Sequence, residues 1–98
     1  MPVENISVKE LSDMINQDQV VLVDCREVDE FEDCHIPGAI NLPLSEFSAK
    51  SLDSIDLGNK KVVIYCRLGK RSLMAAEKLS IDVYSLVGGI EAWQQAEE

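Results

Sequence analysis

Val62-Val63-Ile64-Tyr65-Cys66-Arg67-Leu68-Gly69-Lys70-Arg71-Ser72 is the stretch that decides how this chain is read. Its first four residues form a compact, largely β-branched apolar run, which predicts a strand buried on both faces. The next six are a short turn carrying three of the nine cations of the chain. From Ser72 onward, Leu73, Ala76 and Leu79 recur at helical spacing, predicting a helix over residues 72–80. A strand feeding a tight cationic turn that opens a helix builds an anion pocket, because backbone amides and the helix dipole face the same point. A cysteine at the start of such a turn gains a stabilised thiolate, the form that a positive field favours. Cys66 is therefore the candidate nucleophile, at the base of an anion cradle.

The surrounding composition narrows the possibilities. Ninety-eight residues suit one domain spanning 1–98. The 46% hydrophobic content is that of an ordinary globular chain. Eighteen acidic against nine basic residues give a net charge of -9, which disfavours nucleic acid and anionic membranes as partners. No apolar run approaches the roughly 18 residues of a membrane span. Met1-Pro2-Val3-Glu4-Asn5 lacks the pattern of a signal peptide, so a cytoplasmic location is the expectation. Cys25, Cys34 and Cys66 form no C-x-x-C pair, so neither a disulfide framework nor a metal site is expected, and no cofactor is called for.

Working outward from the turn, strands alternate with helices. Ser7-Val8-Lys9-Glu10 reads as a capping box opening a helix over 8–17, with Ile6 before it as a very short strand. Val20-Val21-Leu22-Val23 is a second buried strand, ending in Asp24-Cys25-Arg26. Residues 28–33 form a short acidic helix anchored by Phe31. Pro37-Gly38 marks a turn before a brief strand, and Leu44 to Ala49 form a further short helix. Leu52, Ile55 and Leu57 are the packing points of the polar segment 50–59. Asp82 to Leu86 give a third strand, and Gly88-Gly89 turn the chain into a terminal helix with Ile90 and Trp93 on one face. This alternation predicts an α/β fold with a mainly parallel sheet covered on both sides. Sites in such sheets gather at the carboxyl ends of strands, so Asp24 and Cys66 are expected on one edge.

Three separated signatures resemble those of single-domain rhodanese-like sulfurtransferases, in that family's order. They are Val23-Asp24-Cys25-Arg26-Glu27 with Glu30-Phe31 and His35-Ile36-Pro37-Gly38-Ala39-Ile40-Asn41; Ile64 to Ser72; and Gly88-Gly89-Ile90-Glu91-Ala92-Trp93. Two features depart from the family's pattern. Cys34 stands where it usually has glycine, a source of strain if that position needs a positive φ. The connection Leu79-Ser80-Ile81-Asp82 is also shorter than usual.

The resemblance implies a three-layer rhodanese-like domain and sulfur transfer through a persulfide on Cys66. The donor would be a small anion, thiosulfate or polysulfide; the acceptor would be cyanide, a small thiol or a protein thiol. Backbone amides of Arg67, Leu68, Gly69, Lys70, Arg71 and Ser72 would converge on the sulfur. The three cations would hold the donor's sulfonate, with Arg71 best suited to a bidentate contact. Asp24 and Arg26 are expected to anchor the loop edge, with Glu30 as a partner of Arg26. His35 is read as turn-stabilising, and Trp93 as core. Packing is the default reading of Cys25 and Cys34, with Cys25 as a resolving or disulfide-forming thiol as the alternative. Two other functions remain open: a sulfur-carrier module in a relay, and a phosphatase or arsenate reductase. The latter need five residues between cysteine and arginine, whereas four separate Cys66 from Arg71.

Overall fold

The computed structural model describes residues 3–97. Its elements in chain order are β1 (Val3–Ile6), α1 (Val8–Asn16), β2 (Val20–Asp24), α2 (Val28–Asp33), β3 (Ile40–Asn41), a single 3-10 turn (Leu44–Glu46), β4 (Lys61–Tyr65), α3 (Lys70–Ala76), β5 (Val83–Leu86) and α4 (Gly89–Ala96). The strands form one sheet in the order β1-β5-β4-β2-β3, and every pairing is parallel.

Period-two alternation in the buried strands divides the core in two. Val21, Val23, Val62, Ile64 and Val83 face one side, where Ala75, Ala76, Leu79, Phe47 and Leu52 cover them. Leu22, Val63, Tyr65 and Leu86 face the other, against Leu11 of α1 and Ile90 of α4. Ile55 and Leu57 pack against the first cluster, as the sequence predicts. Trp93 packs half-buried against the second. The result is the expected three-layer α/β arrangement.

Topology places the site. From β2 the chain steps outward to β3, then returns to β4 and steps the opposite way to β5. The order therefore reverses between β2 and β4, and such a switch point opens a crevice beyond the strand ends. Asp24 pairs with Tyr65 as the last step of the β2–β4 register, so the residues that follow each share that crevice.

Several boundaries differ from the sequence reading. The capping box is present, with Ser7 Oγ accepting from the Glu10 amide at 3.1 Å and Glu10 returning the contact, but α1 ends at Asn16. The expected helix from Leu44 to Ala49 is one 3-10 turn. Serine contacts replace helical bonds there: Ser51 Oγ accepts from the Ser48 amide at 2.8 Å and Ser48 Oγ from the Lys50 amide at 3.2 Å. The helix expected over 72–80 runs instead from Lys70 to Ala76. It starts early because Gly69, at φ 114°, supplies the left-handed cap, and it leaves through i+3 bonds that carry Leu79 into the core. Ile6 is the end of a four-residue edge strand whose middle members, Glu4 and Asn5, are polar and exposed, so the strand leaves no continuous apolar run.

Candidate active site

Cys66 follows the last residue of β4 and is 1% exposed. The loop folds back over it, so that the Gly69 amide donates to its Sγ at 3.1 Å. The helical start at Lys70 brings Ser72 into the first turn of α3, where its Oγ lies 3.6 Å from Sγ. That hydroxyl also donates to the Gly69 carbonyl at 3.1 Å and shares a 2.7 Å hydrogen bond with the Ser85 hydroxyl of β5. Of the six residues expected to enclose the sulfur, Gly69 and Ser72 reach it with polar groups; the side chains of Arg67, Leu68 and Lys70 are exposed.

The start of α4 fixes the loop from behind. The Ile90 amide donates to the Cys66 carbonyl at 2.8 Å, and the Glu91 amide to the Arg67 carbonyl at 3.3 Å. With both carbonyls turned away, the amides that follow are free to face the sulfur. Gly89 permits this approach: its φ is +59°, and an added Cβ would collide with the same two carbonyls.

These contacts hold the Cys66 thiol well below its ordinary range. The Cys25 thiol beside it contributes most, followed by the Ser72 hydroxyl and the amides of Ser72 and Gly69, while burial opposes them. Cys25 moves the other way, because its hydrogen bond to Cys66 and its burial retain the proton. The two thiols thus divide into a thiolate on Cys66, where the amides point, and a proton donor on Cys25.

The cations are less free than the sequence implies. Arg71, expected to grip an oxyanion, places both terminal nitrogens on Glu30, at 2.8 and 2.9 Å. This corrects the expected Glu30–Arg26 pair. Arg26 is satisfied elsewhere: its guanidinium bonds both oxygens of Asp24 at 2.7 to 3.1 Å and the Cys34 carbonyl at 2.6 Å. Arg71 holds the Glu30 carboxyl down to about 2. Arg67 bonds Glu91 at 2.6 Å. Lys70, at the first position of α3, is exposed and forms no ion pair among the described residues.

Asp24 and Arg26 are buried beneath the loop edge, at 0% and 4% exposure. The Asn41 amide nitrogen bonds both of their carbonyls at 3.0 Å, tying β3 to the end of β2. His35 has the turn-stabilising place expected of it, stacked on Phe31 at 3.8 Å with Nδ1 2.9 Å from the Phe31 carbonyl. Cys34 has φ -165°, extended backbone open to any residue, so its replacement of glycine introduces no strain. The sequence reading missed Ser85 and Glu91. A lone serine between buried Val83 and Leu86 is the one signal that pointed to the first.

The sequence profile of the Rhodanese-like domain family matches residues 7–96. The chain belongs to that family. The rhodanese-like domain is 38% identical over 95 residues to the uncharacterized protein slr1261 of Synechocystis, covering 93% of this chain and 52% of that protein. It is 29% identical over 96 residues to the putative sulfur carrier protein YrkF of Bacillus subtilis, covering 93% and 51%. Among solved structures it resembles the BH2092 protein of Bacillus halodurans, with 27% identity, a TM-score of 0.83, and coverage of 96% of this chain and 73% of that one. The chain spans between 22% and 52% of the length of eight curated relatives it matches. Among the described residues, no helix is long and apolar enough to cross a membrane.

Proposed function

We propose that this domain is a sulfurtransferase in which Cys66 carries sulfane sulfur between a small anionic donor and a thiol or cyanide. The observation that carries the reading is the polarised sulfur itself: Cys66 at a strand end with the Gly69 amide at 3.1 Å and Ser72 beside it. The Cys66 thiolate attacks the outer sulfur of thiosulfate, the S–S bond breaks, and sulfite leaves with the electron pair. The persulfide left on Cys66 is then attacked at its outer sulfur by the acceptor, which restores the thiolate. Each half is a displacement at sulfur, and the covalent intermediate divides one transfer into two.

Loop size favours sulfur over phosphate chemistry. Four residues separate Cys66 from Arg71, and the fork of that arginine rests on Glu30. A tetrahedral phosphate needs a wider ring of amides and an arginine aimed into it. A carrier role within a relay uses the same persulfide, and the likeness to a putative sulfur carrier supports keeping a protein thiol among the acceptors.

The test is intact mass after incubation with thiosulfate and with polysulfide, followed by cyanide. The expected result is one equivalent of sulfite from thiosulfate, a gain of one sulfur atom at early times that cyanide removes as thiocyanate, and neither in Cys66→Ser. Sulfur uptake by Cys66→Ser, or hydrolysis of an aryl phosphate without sulfur uptake, would end this reading.

A further inference from the structure

Cys25 is a buried nucleophile that the transfer chemistry above uses only as a hydrogen-bond donor. Its position is specific. The Cys25 amide donates to the Tyr65 carbonyl at 3.0 Å, which extends the β2–β4 register one residue beyond the Asp24–Tyr65 pair. That step sets Cys25 opposite Cys66. Adjacent strands lie about 4.8 Å apart, within the Cα separation of about 4.4–6.8 Å that a disulfide spans. Residues paired in a parallel register project to the same face, and both cysteines belong to the cluster under α3. Both are free thiols, 0% and 1% exposed. Cys25 is fully buried, and the sulfur beside it is that of Cys66.

The surroundings of Cys66 also separate two directions of approach. Ser72 is bound to Ser85 on β5, on one side of β4, together with the Gly69 amide. Cys25 continues β2, on the other side of β4. The Gly69 amide and the Ser72 hydroxyl reach Sγ from the β5 side, so an outer sulfur held there would leave Sγ between it and Cys25. Displacement at a sulfur–sulfur bond proceeds with the attacking thiolate opposite the leaving sulfur, and this arrangement provides it.

We propose, building on the reading of Cys66 as a persulfide carrier, that Cys25 is its resolving thiol and that the domain releases hydrogen sulfide. Cys25 attacks Cys66 Sγ, forming a Cys25–Cys66 disulfide. The bond from Sγ to the outer sulfur breaks, and that sulfur leaves with the electron pair as hydrosulfide, taking up the proton that Cys25 gives up. The sulfane sulfur is reduced by two electrons, one from each cysteine sulfur. An external dithiol then reduces the disulfide and resets both thiols. Loading itself sets the order of events. The negative charge on unloaded Cys66 keeps Cys25 protonated, and persulfide formation moves that charge to the outer sulfur, away from Cys25.

The experiment is a single turnover in a Cys34→Ser background, which removes the exposed thiol, with thiosulfate as donor and no added thiol. Intact mass and released sulfide are followed together, and disulfide position is mapped by digestion. The expected outcome with Cys25 present is loss of two hydrogens, a Cys25–Cys66 bond, and about one equivalent of sulfide. With Cys25→Ser or Cys25→Ala, loaded above the ordinary thiol range because the contact that favours the Cys66 thiolate is lost, the chain should keep one added sulfur on Cys66 and release no sulfide; that uptake also reports an intact fold. If the chain with Cys25 holds its added sulfur as long as the variants do, the resolving role is overturned and the carrier reading stands. If no chain takes up sulfur, both are overturned.

Discussion

Cys66 owes its acidity to neighbours from three elements: Cys25 beyond β2, Gly69 in the loop, and Ser72 on α3. Of these, Ser72 is the most informative to remove, because its hydroxyl touches the sulfur while the loop keeps its backbone attachments to α4. A hydrogen bond to a charged group contributes about 1.5–3 kcal/mol, equivalent to about one to two pH units in the titration of that group. The sign follows directly: losing a contact that favours thiolate raises the pH at which Cys66 ionises. Sulfite release by the unmodified chain is therefore expected to be flat through neutral pH and to fall only in acid. In Ser72→Ala the acid limb should move up by about one to two pH units, measured as the single-turnover rate against pH. An unmoved limb would leave Cys25 and the amides as the whole cause. The same substitution strands the buried Ser85 hydroxyl, at a cost of about 1–3 kcal/mol in stability.

Between elements, the loop is held by α4 behind it and by α2 beside it, and the two attachments have different consequences. Gly89→Ala puts a Cβ against the Cys66 and Arg67 carbonyls at a positive φ. Backbone strain of this kind costs about 1–3 kcal/mol before any clash. The variant should lose sulfur uptake even at temperatures where circular dichroism shows it folded, since relief requires the loop to move. Glu30→Gln cuts the tie to α2. The pair is about two-thirds buried on each side, so its loss should cost about 0.5–1 kcal/mol at neutral pH. Because Arg71 depresses the Glu30 carboxyl to about 2, the stabilisation is complete above the ordinary glutamate range and disappears as pH falls toward that value. Urea midpoints of the two proteins should converge on acidification, and the released Arg71 should lower the KM for thiosulfate. These attachments also mark where the sequence stopped being legible. The apolar period beginning at Leu73 predicts a later start for α3 than the left-handed φ of Gly69 sets. Proximity in sequence pairs Glu30 with Arg26, whereas Asp24 saturates Arg26 from two residues away. By contrast β2 and β4 were readable, since strands buried on both faces leave continuous apolar runs.

Across the whole molecule, the cationic turn and the acidic chain act in opposite directions on an incoming anion. The sequence made the turn look strongly positive, with Arg67, Lys70 and Arg71 together. Folding brings Glu91 to Arg67 and Glu30 to Arg71, which no local pattern announces because the partners lie 24 and 41 residues away. What remains at long range is the net charge of -9. At about 0.01 M salt the Debye length is about 30 Å, comparable to the 36 × 29 × 23 Å molecule, so every charge is felt at the loop. At about 0.15 M it is about 8 Å, and the distant carboxylates drop out while Lys70 and the loop amides still act. Sulfite release at subsaturating thiosulfate should therefore accelerate, by about two- to fivefold, between these salt concentrations, as repulsion of a dianion is screened. An uncharged sulfane donor should show no such rise. A rate that instead falls with salt would mean that Arg67 and Arg71 leave their carboxylates to meet the donor, and Glu30→Gln should then steepen that fall.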